Sequence, residues 1–581
     1  MINSVEDLRK VVWAKQGAAS GAWINRFRKL RDNQRKAQQF YDMDYEVKIL
    51  GEYQVIKLPT ARQMIDTYLG HLPLSNPIVE VIPFKLTENY RRRAINQQDY
   101  FQALLQHSLS QADPAIPYAA KDMGIRGEAF FKVLYDTGAL EGLPEQEKGE
   151  TAQDYKERKE AHLISRMPIR LMAPDPMNCY PSADHIDCRP LEMIEVYNIY
   201  AGHLRQIFPD WKSTKQGTDT VVVVEYWRDD KRCFLADGLL LTDGFEDNPY
   251  GITPYVHAYS GWGHRTVDNK PEDKAVNMLF EAMELIKQQC RFQAYLDKAV
   301  AFASTPIIHT EKEKTDYEEA GGLKIVPGMV LYGGEKVDVS WAGNNLPAGI
   351  LQAIALNDSK INRVQAGVLR GEVPRGIEAG YPMALMIGEA RLQFGIPLEN
   401  LKTLTARALE LVTHLVREVV KEDLPLWGAN RAVILRKQDC EGSYRIKVDF
   451  DATTPEARAN RALTGQRLRQ GGSISLYTEL KEWQNNKNPE KEISRIFVES
   501  LMKHPSIQQM VAMEAIEEIK GAEFALRVGE AMRAGEEGAI RKAVSSGVPI
   551  GGERESELPE DVLARALTKR SKALRAEPAE V

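Results

Sequence analysis

The stretch from Pro271 to Lys421 constrains the fold more than any other part of the chain. Asn269 is a capping residue and Pro271 falls near a first helical turn, where its missing N–H costs nothing. Val276, Leu279, Phe280, Met283, Ile286, Cys290 and Ala294 then recur at spacings of three and four, which places them on one helical face. The other face carries Glu281, Glu284, Lys287 and Arg291. Thirty residues of such a helix span roughly 45 Å. A second helix is expected after Asn344-Asn345, with Pro347 in its first turn and a stripe of Ile350, Ile354, Ile361, Val364 and Val368. A third is expected from Met383 to about Glu422. Its seam is Leu398, Leu401, Leu404, Ala408, Leu411, Leu415 and Val419, with a kink where Gly395 and Pro397 interrupt it. Periodicity alone fits core helices of an ordinary domain. The order of the pieces around them fits an antiparallel stalk with a compact head.

The head is the segment between the first two helices. Pro306–His309, Leu323–Val326, Met329–Tyr332 and Val337–Trp341 read as short strands, and Lys312–Ala320 as charged helical turns. About forty residues bury little core alone, so such a module needs neighbours. After the second helix, Gly367 to Pro382 is rich in glycine and proline, and Arg370 and Arg375 alternate with Glu372 and Glu378. This loop lacks the G-x-x-x-x-G-K-[ST] phosphate pattern. It fits a solvated connection and a DNA-contacting loop equally.

The N-terminal half reads as mixed α/β. A helix begins at Trp23, Phe27 and Leu30 and closes at Phe40-Tyr41, with Arg26, Lys29, Arg31, Arg35 and Lys36 on a basic face that fits a solvated surface, the commoner case, or contact with DNA or acidic partners. Helices over Thr60–Leu72 and Asn89–Gln111 flank a strand at Ile78–Ile82, and Arg91-Arg92-Arg93 forms a charge patch. Glu141–Ala161 is an exposed excursion with some helix, and strands resume at Met167–Met172 and Met193–Tyr197. Thr220–Arg228 is the strongest strand signal. Asp229-Asp230 turns it into Arg232–Ala236, and four consecutive valines predict cover on both faces. Beyond the third helix, Ala432–Leu435 and Tyr444–Phe450 read as a hairpin returning to this sheet. Helices follow over Arg458–Gln470, Ser475–Gln484, Glu490–Lys503 and Ser506–Arg533. Then come a Gly- and Ser-rich stretch and a basic segment carrying Arg565, Lys569, Arg570, Lys572 and Arg575, which fits a basic amphipathic helix meeting DNA or a scaffold partner and, slightly better, a disordered tail.

Chemistry-bearing signals are sparse. The densest is Asp175 to Cys188, with Asp175, Cys179, Asp184, His185, Asp187 and Cys188. Zinc favours paired spacings such as C-x-x-C, which are absent here. Neither H-E-x-x-H nor G-x-S-x-G occurs. His257 and His264, near Trp262, read as stacked or buried histidines. Five cysteines without a C-x-x-C pair read as reduced thiols in a cytoplasm. A net charge of -6 argues against tight non-specific DNA binding. The start, Met1–Lys10, has no apolar signal core, and no stretch approaches the ~20 apolar residues of a membrane span.

The order of elements resembles that of tailed-bacteriophage portal proteins. Leu58-Pro59 with Ile65, and then Asn76-Pro77-Ile78-Val79-Glu80-Val81-Ile82-Pro83, is similar to an early portal segment that ends in a P-x-V-x-V-x-P strand. Gly127 to Val133 is similar to a portal G-x-x-x-x-K-V strand, and the turn at Asp175-Pro176 to a portal D-P segment. Gly371-Glu372-Val373-Pro374-Arg375-Gly376-Ile377-Glu378-Ala379-Gly380 resembles the stretch leading from the portal tunnel loop into the long helix. The likeness covers most of residues 20–450.

That resemblance implies an α+β portal fold. A mixed α/β wing (residues 1–268) is followed by a stem helix (269–303), a small α/β clip (304–343) and a second stem helix (344–369). A tunnel loop (370–382), a long kinked wing helix with a β-hairpin (383–452), a helical crown (453–533) and a flexible tail (534–581) complete it. It further implies a ring of twelve copies at one capsid vertex, assembled in the host cytoplasm. Double-stranded DNA passes through the ring, which docks the terminase large subunit, a head–tail adaptor, and major capsid and scaffolding proteins. No cofactor, metal or catalysis is expected. Arg370, Glu372, Arg375 and Glu378 would contact DNA from the tunnel loop, and Glu281, Glu284, Lys287 and Arg291 would line the channel. Two other classes fit parts of the chain. One is a metal-dependent nucleic-acid-processing enzyme built on Cys179–Cys188 or on the acidic loops; the other is a non-viral scaffold that oligomerises through the seam at Leu398–Val419.

Overall fold

The structure is a computed structural model that describes residues 2, 4–13, 22–49, 56–140, 143–182, 185–304, 307–310, 330–332, 339–340, 348–370, 380–428, 432–450, 455–484 and 489–502. It is mixed helix and sheet, and it divides into two compact units, Met1–Ala452 and Thr453–Val581.

In the first unit, α1 (Val5–Trp13) precedes α2 (Ala22–Arg26) and α3 (Arg28–Tyr41). The break at Phe27 splits what the periodicity reads as one helix. Then come α4 (Thr60–His71), β1 (Pro77–Pro83), α5 (Glu88–Leu109), α6 (Ala115–Arg126) and β2 (Glu128–Tyr135). Gly127 caps α6 at φ +78, and a Cβ there would sit 2.5 Å from the Ala275 carbonyl carbon. Only glycine satisfies both the left-handed backbone and that approach. The excursion at 141–161 resolves into α7 (Ala152–Arg166), capped by the Thr151 hydroxyl, before β3 (Ile169–Met172).

Two sheets form the body. β2 is the centre of a three-stranded sheet, with β3 on one side and β12 (Tyr255–Tyr259) on the other. The larger sheet contains β4 (Cys179–Pro181), β7 (Glu192–Tyr200), β8 (Thr220–Arg228), β9 (Lys231–Ala236), β10 (Leu239–Leu240) and β11 (Glu246–Asp247). β5 (His185–Ile186) and β6 (Arg189–Pro190) make a separate small hairpin, and α8 (Ala201–Ile207) follows β7. The valine run in β8 is covered on both faces, as its composition predicts. Val224 and Tyr226 pack with Ile2 and Leu8 of the N-terminal segment, while Val221 and Val223 pack with Ala201, Leu204 and Trp211.

The stem region departs from the sequence expectation. Helix covers only α9 (Pro271–Lys274) and then α10 (Met283–Ser304), with turns between them. The backbone of this gap is drawn into tertiary bonds. The Ser260 hydroxyl donates to the Val276 carbonyl at 2.7 Å, and the Met278 N–H donates to Gly124 at 3.0 Å. Tertiary partners thus replace the i→i−4 ladder that periodicity alone predicts. Beyond α10, β13 (Ile307–Thr310) pairs parallel with β14 (Val330–Tyr332) and antiparallel with β15 (Val339–Ser340). The proposed turns at 312–320 and strand at 323–326 lie outside the described residues.

The return helix α11 spans Ala348–Val364 and ends in a 3₁₀ turn, Gly367–Arg370. The long helix proves to be α12 (Gly380–Arg391) and α13 (Gly395–Glu418), joined by a 3₁₀ turn at Leu392–Phe394, immediately before Gly395 and Pro397. The hairpin expected at 432–450 does not form. Strand β16 (Leu424–Trp427), which pattern reading missed, pairs with β17 (Ala432–Leu435), and β18 (Tyr444–Phe450) pairs with β1. Between β17 and β18, a 3₁₀ turn buries Asp439 and Cys440 against α5, where the Gln97 amide donates to the Asp439 carbonyl at 2.5 Å. That contact pulls the two segments apart.

The outer edge of β1 is closed by side chains. Gln102 and Gln98 of α5 accept from the Val79 and Val81 N–H groups at 3.2 and 3.4 Å, and Gln102 donates to the Pro77 carbonyl at 2.5 Å. These amides stand where another strand would pair.

The second unit begins with α14 (Pro455–Gln470), which ends at Gly471 and at Gly472 with φ +72. Ser475 caps the short α15 (Leu476–Thr478), which runs into a π turn at Glu479–Trp483; α16 (Pro489–Met502) follows. The bare Gly465 lets Trp483 approach, since a Cβ there would lie 2.5 Å from the Trp483 Cβ. The segments proposed at 506–533 and 565–575 lie outside the described residues.

Candidate functional site

The helix pair α10 and α11 is fixed to the body at its base. Ile286, Cys290 and Ala294 turn inward and are buried, as is Ile361 of α11. Polar bridges hold the pair against α4. The Thr60 hydroxyl donates to Gln289 at 2.8 Å, and Gln289 donates to Asp358 at 3.0 Å. Asn357 donates to the Leu285 carbonyl at 3.1 Å, and Gln365 to the Met64 carbonyl at 3.0 Å. Away from this base Val300 and Leu351 are exposed by 45% and 48%, and Leu356, beside the base contacts but on the outer face, is exposed by 59%. The first unit's own described residues therefore do not seal the pair inside a globule.

The four stem charges divide into two kinds. Glu281, in the turn before α10, and Glu284 are exposed. Lys287 pairs with Glu284 at 3.0 Å and lies over the Phe40 ring, while Arg291 donates to the Lys48 carbonyl at 3.1 Å. Both cations thus lean on the chain's own N-terminal segment. Of the proposed tunnel-loop residues, Glu372, Arg375 and Glu378 lie outside the described residues, and Arg370 ends the 3₁₀ turn before them. The flanks of the loop meet at one imidazole. Arg391 donates to His71 Nδ1 at 3.2 Å, so Nε2 carries the hydrogen and donates to the Leu369 carbonyl at 2.9 Å.

The residues of 175–188 do not converge. Asp175 caps a 3₁₀ turn by accepting from the Met177 N–H at 2.9 Å. Cys179 is buried in β4; Cys188 lies beyond the β5 turn, with its carbonyl accepting from the His257 N–H. Burial pushes both thiols up, which keeps them protonated. Asp187 stands 3.6 Å from Arg407, and Asp184 lies outside the described residues. Among the described residues no group of three or more His, Cys, Asp or Glu side chains is placed to hold a metal ion. The seam from Leu401 to Leu415 is likewise internal. Leu401, Leu404, Ala408, Leu411 and Leu415 are buried in the first unit's own core, so the seam is no oligomerisation surface.

Two buried charge networks escaped the sequence reading. Arg31, assigned there to a solvated face, is buried instead. It donates to Glu128 and Gln34, each at 2.6 Å, and to the Cys179 carbonyl, with its guanidinium over Phe27 and Tyr180. His257 bonds the other Glu128 oxygen at 3.0 Å, stacks on Phe130 and shares a hydrogen bond with His185 at 3.1 Å. Burial alone would raise the Glu128 carboxyl; Arg31 and then His257 overcome it and hold the group at about 2. The stacked, buried His257 matches the sequence expectation.

The second network joins the two sheets. Glu195 and Glu225 stand directly opposite in the β7–β8 register, a like-charge pair that is unfavourable on its own. Lys132 of β2 reaches both at 2.8 Å, Tyr255 donates to Glu195 at 2.6 Å, and Tyr197 and Trp227 donate to Glu225 at 2.7 and 2.9 Å. Burial opposes the Lys132 charge, but the two carboxylates outweigh it and raise its pKa. The available signal was Glu128 and Lys132 in an otherwise apolar strand. Their spacing of four puts both on one face, where buried charges need partners.

No family model and no curated protein matches this chain. Among the described residues no helix is long and apolar enough to cross a membrane.

Proposed function

We propose that this chain is the portal subunit of a tailed bacteriophage, a ring-forming protein at one capsid vertex through which double-stranded DNA is packaged and ejected. The observation that carries this reading is the helix pair α10–α11, which is bonded to the body at its base, leaves Val300 and Leu351 uncovered farther along, and leaves Leu356 uncovered on the outer side of the base itself. Exposed apolar side chains on both helices of the pair are accounted for by a copy of the same pair standing beside it, which a ring supplies. The order of elements supports the same reading: an α/β body, a helix outward, a segment containing a three-stranded sheet, a helix back, and a two-part helix into the core.

In this reading the wing is the two-sheet body, the clip docks the packaging terminase and the later head–tail adaptor, and the capsid and scaffolding proteins meet the wing. The protein lines the DNA path without hydrolysing nucleotide. Arg370 and Arg375, nearly balanced by Glu372 and Glu378, touch DNA weakly enough to let it slide. Replacing both arginines with alanine tests this. Rings assemble normally while packaged or retained DNA falls; normal packaging by the double variant would refute the loop's role.

A further inference from the structure

The β5–β6 hairpin turns on two residues that lack the freedom of glycine. His185 pairs with Pro190 and Ile186 with Arg189, so Asp187 and Cys188 make the turn, at φ +48 and +66. Both positions of such a turn take left-handed backbone, which favours glycine and asparagine. A pair of two-residue strands on a strained turn does not hold its shape by itself. Docking against the body holds it. The His257 N–H donates to the Cys188 carbonyl at 2.7 Å, so the hairpin covers the edge of β12 turned away from β2. The Thr253 hydroxyl donates to the Pro190 carbonyl at 2.5 Å, and Arg189 pairs with Asp229.

A further contact joins two imidazoles. Nε2 of the exposed His185 meets Nδ1 of the buried His257 at 3.1 Å. Glu128 is ionised and only accepts, so His257 Nε2 carries a hydrogen and donates it there at 3.0 Å. The facing nitrogens then have room for one hydrogen between them. With both rings neutral, His185 donates it and His257 Nδ1 accepts. One added proton leaves this bond in place, since a single hydrogen still lies between the rings. A second sets N–H against N–H and two like charges at 3.1 Å. The surrounding charges do not compensate for it. Glu128 of β2 favours the protonated rings, but its other oxygen is taken by Arg31 of α3. Arg407 of α13 stands 3.6 Å from Asp187 of the turn and 2.6 Å from Glu410. Lys274 lies over the Tyr259 ring, which stands edge-on to His257.

We propose that the His185–His257 pair is a pH-sensitive latch, which keeps the β5–β6 hairpin on β12 while it holds at most one added proton and releases it when acid protonates both rings. Release uncovers the outer edge of β12 and the Cys188 thiol. Acid favours the open form because both rings take up protons there. The latch is built within one chain and does not rest on the portal reading.

The test compares the full-length protein at about pH 7.5 and about pH 5, across which histidine changes charge. Hydrogen–deuterium exchange, corrected for the intrinsic effect of pH, reads the His257 amide. A dipyridyl disulfide, which labels thiols in acid, reads Cys188, while the other four cysteines are buried. Protection of the His257 amide falls at least about tenfold in acid, and Cys188 then labels at least about tenfold faster than in His185→Gln at the same pH. The glutamine amide donates to His257 Nδ1 but takes up no proton, so that variant keeps the hairpin docked at both pH values. The β8 amides stay protected throughout. Three results overturn the proposal: His257 protection unchanged by acid, His185→Gln as open in acid as the native protein, or an equal loss across β8, which is general unfolding.

Discussion

Replacing Lys132 with methionine removes the cation that bonds both of the glutamates facing each other across β7 and β8. The side chains are 6% exposed for the lysine and 10% for each carboxylate, so water screens little. At an effective dielectric of about 20, each 2.8 Å pair is worth roughly 6 kcal/mol of gross attraction. Desolvation cancels much of this, and the Tyr255, Tyr197 and Trp227 donors remain. The net loss expected for breaking such a buried cluster is therefore about 3–5 kcal/mol. Urea unfolding followed by tryptophan fluorescence reports it directly, because Trp227 touches the cluster. The triple variant K132M/E195Q/E225Q, which carries no buried charge there, recovers most of the loss. The pH dependence changes sign as well. In the native protein Lys132 offsets the effect of burial and holds Glu225 below its ordinary pKa, so stability falls as that carboxylate takes up a proton in acid. In K132M the buried Glu225 carboxylate keeps its desolvation and faces Glu195 without a cation between them, so it binds a proton more readily and stability increases as the pH falls from about 7 to 5. A loss under ~1 kcal/mol for K132M, or a triple variant no more stable than the single one, would refute the reasoning.

Other expectations follow from the same geometry. Glu128, held at about 2 instead of 4.5, contributes ~3 kcal/mol. That stability is complete above about pH 4.5 and is lost as the pH falls toward 2, a loss that E128Q removes from an acid titration. Gly127→Ala costs at least ~3 kcal/mol, because left-handed backbone and a 2.5 Å contact combine. Gly251→Ala, at φ +65 with open space around it, costs only ~1 kcal/mol in the same denaturation assay. Leu404→Ala, within the core rather than at an interface, lowers unfolding free energy by about 2–5 kcal/mol without changing particle mass by light scattering. Q98A/Q102A uncovers the β1 edge, costs about 1 kcal/mol per lost bond, and raises the rate of concentration-dependent aggregation.

Local signals were legible where a single force dominates. The β8 valines, the strand between Pro77 and Pro83, the Gly471-Gly472 stop and the interruption before Pro397 all follow from pattern, turn chemistry or a missing donor. Pattern failed where distant partners compete for the backbone. Residues 275–282 have helical spacing, but Ser260 and Gly124 claim their polar groups. Residues 432–450 look like a hairpin, but Gln97 holds the turn between them and β16 takes one strand. Arg31 sits on a basic stripe, and nothing local shows that Glu128, 97 residues later, buries it. The site is legible only as far as its helices. The seven-residue spacing in Leu401–Leu415 suits an internal core and a coiled-coil interface alike, and only the packed neighbours decide between them.

The central claim is that copies of the α10–α11 pair stand side by side around an opening. Electron micrographs of the purified full-length protein test it most directly. Closed annular particles of uniform copy number are expected, with a central hole wide enough for a DNA duplex and exposed faces such as Leu351 and Leu356 lying between neighbours. Monomers, dimers or open fibres at every concentration would contradict it.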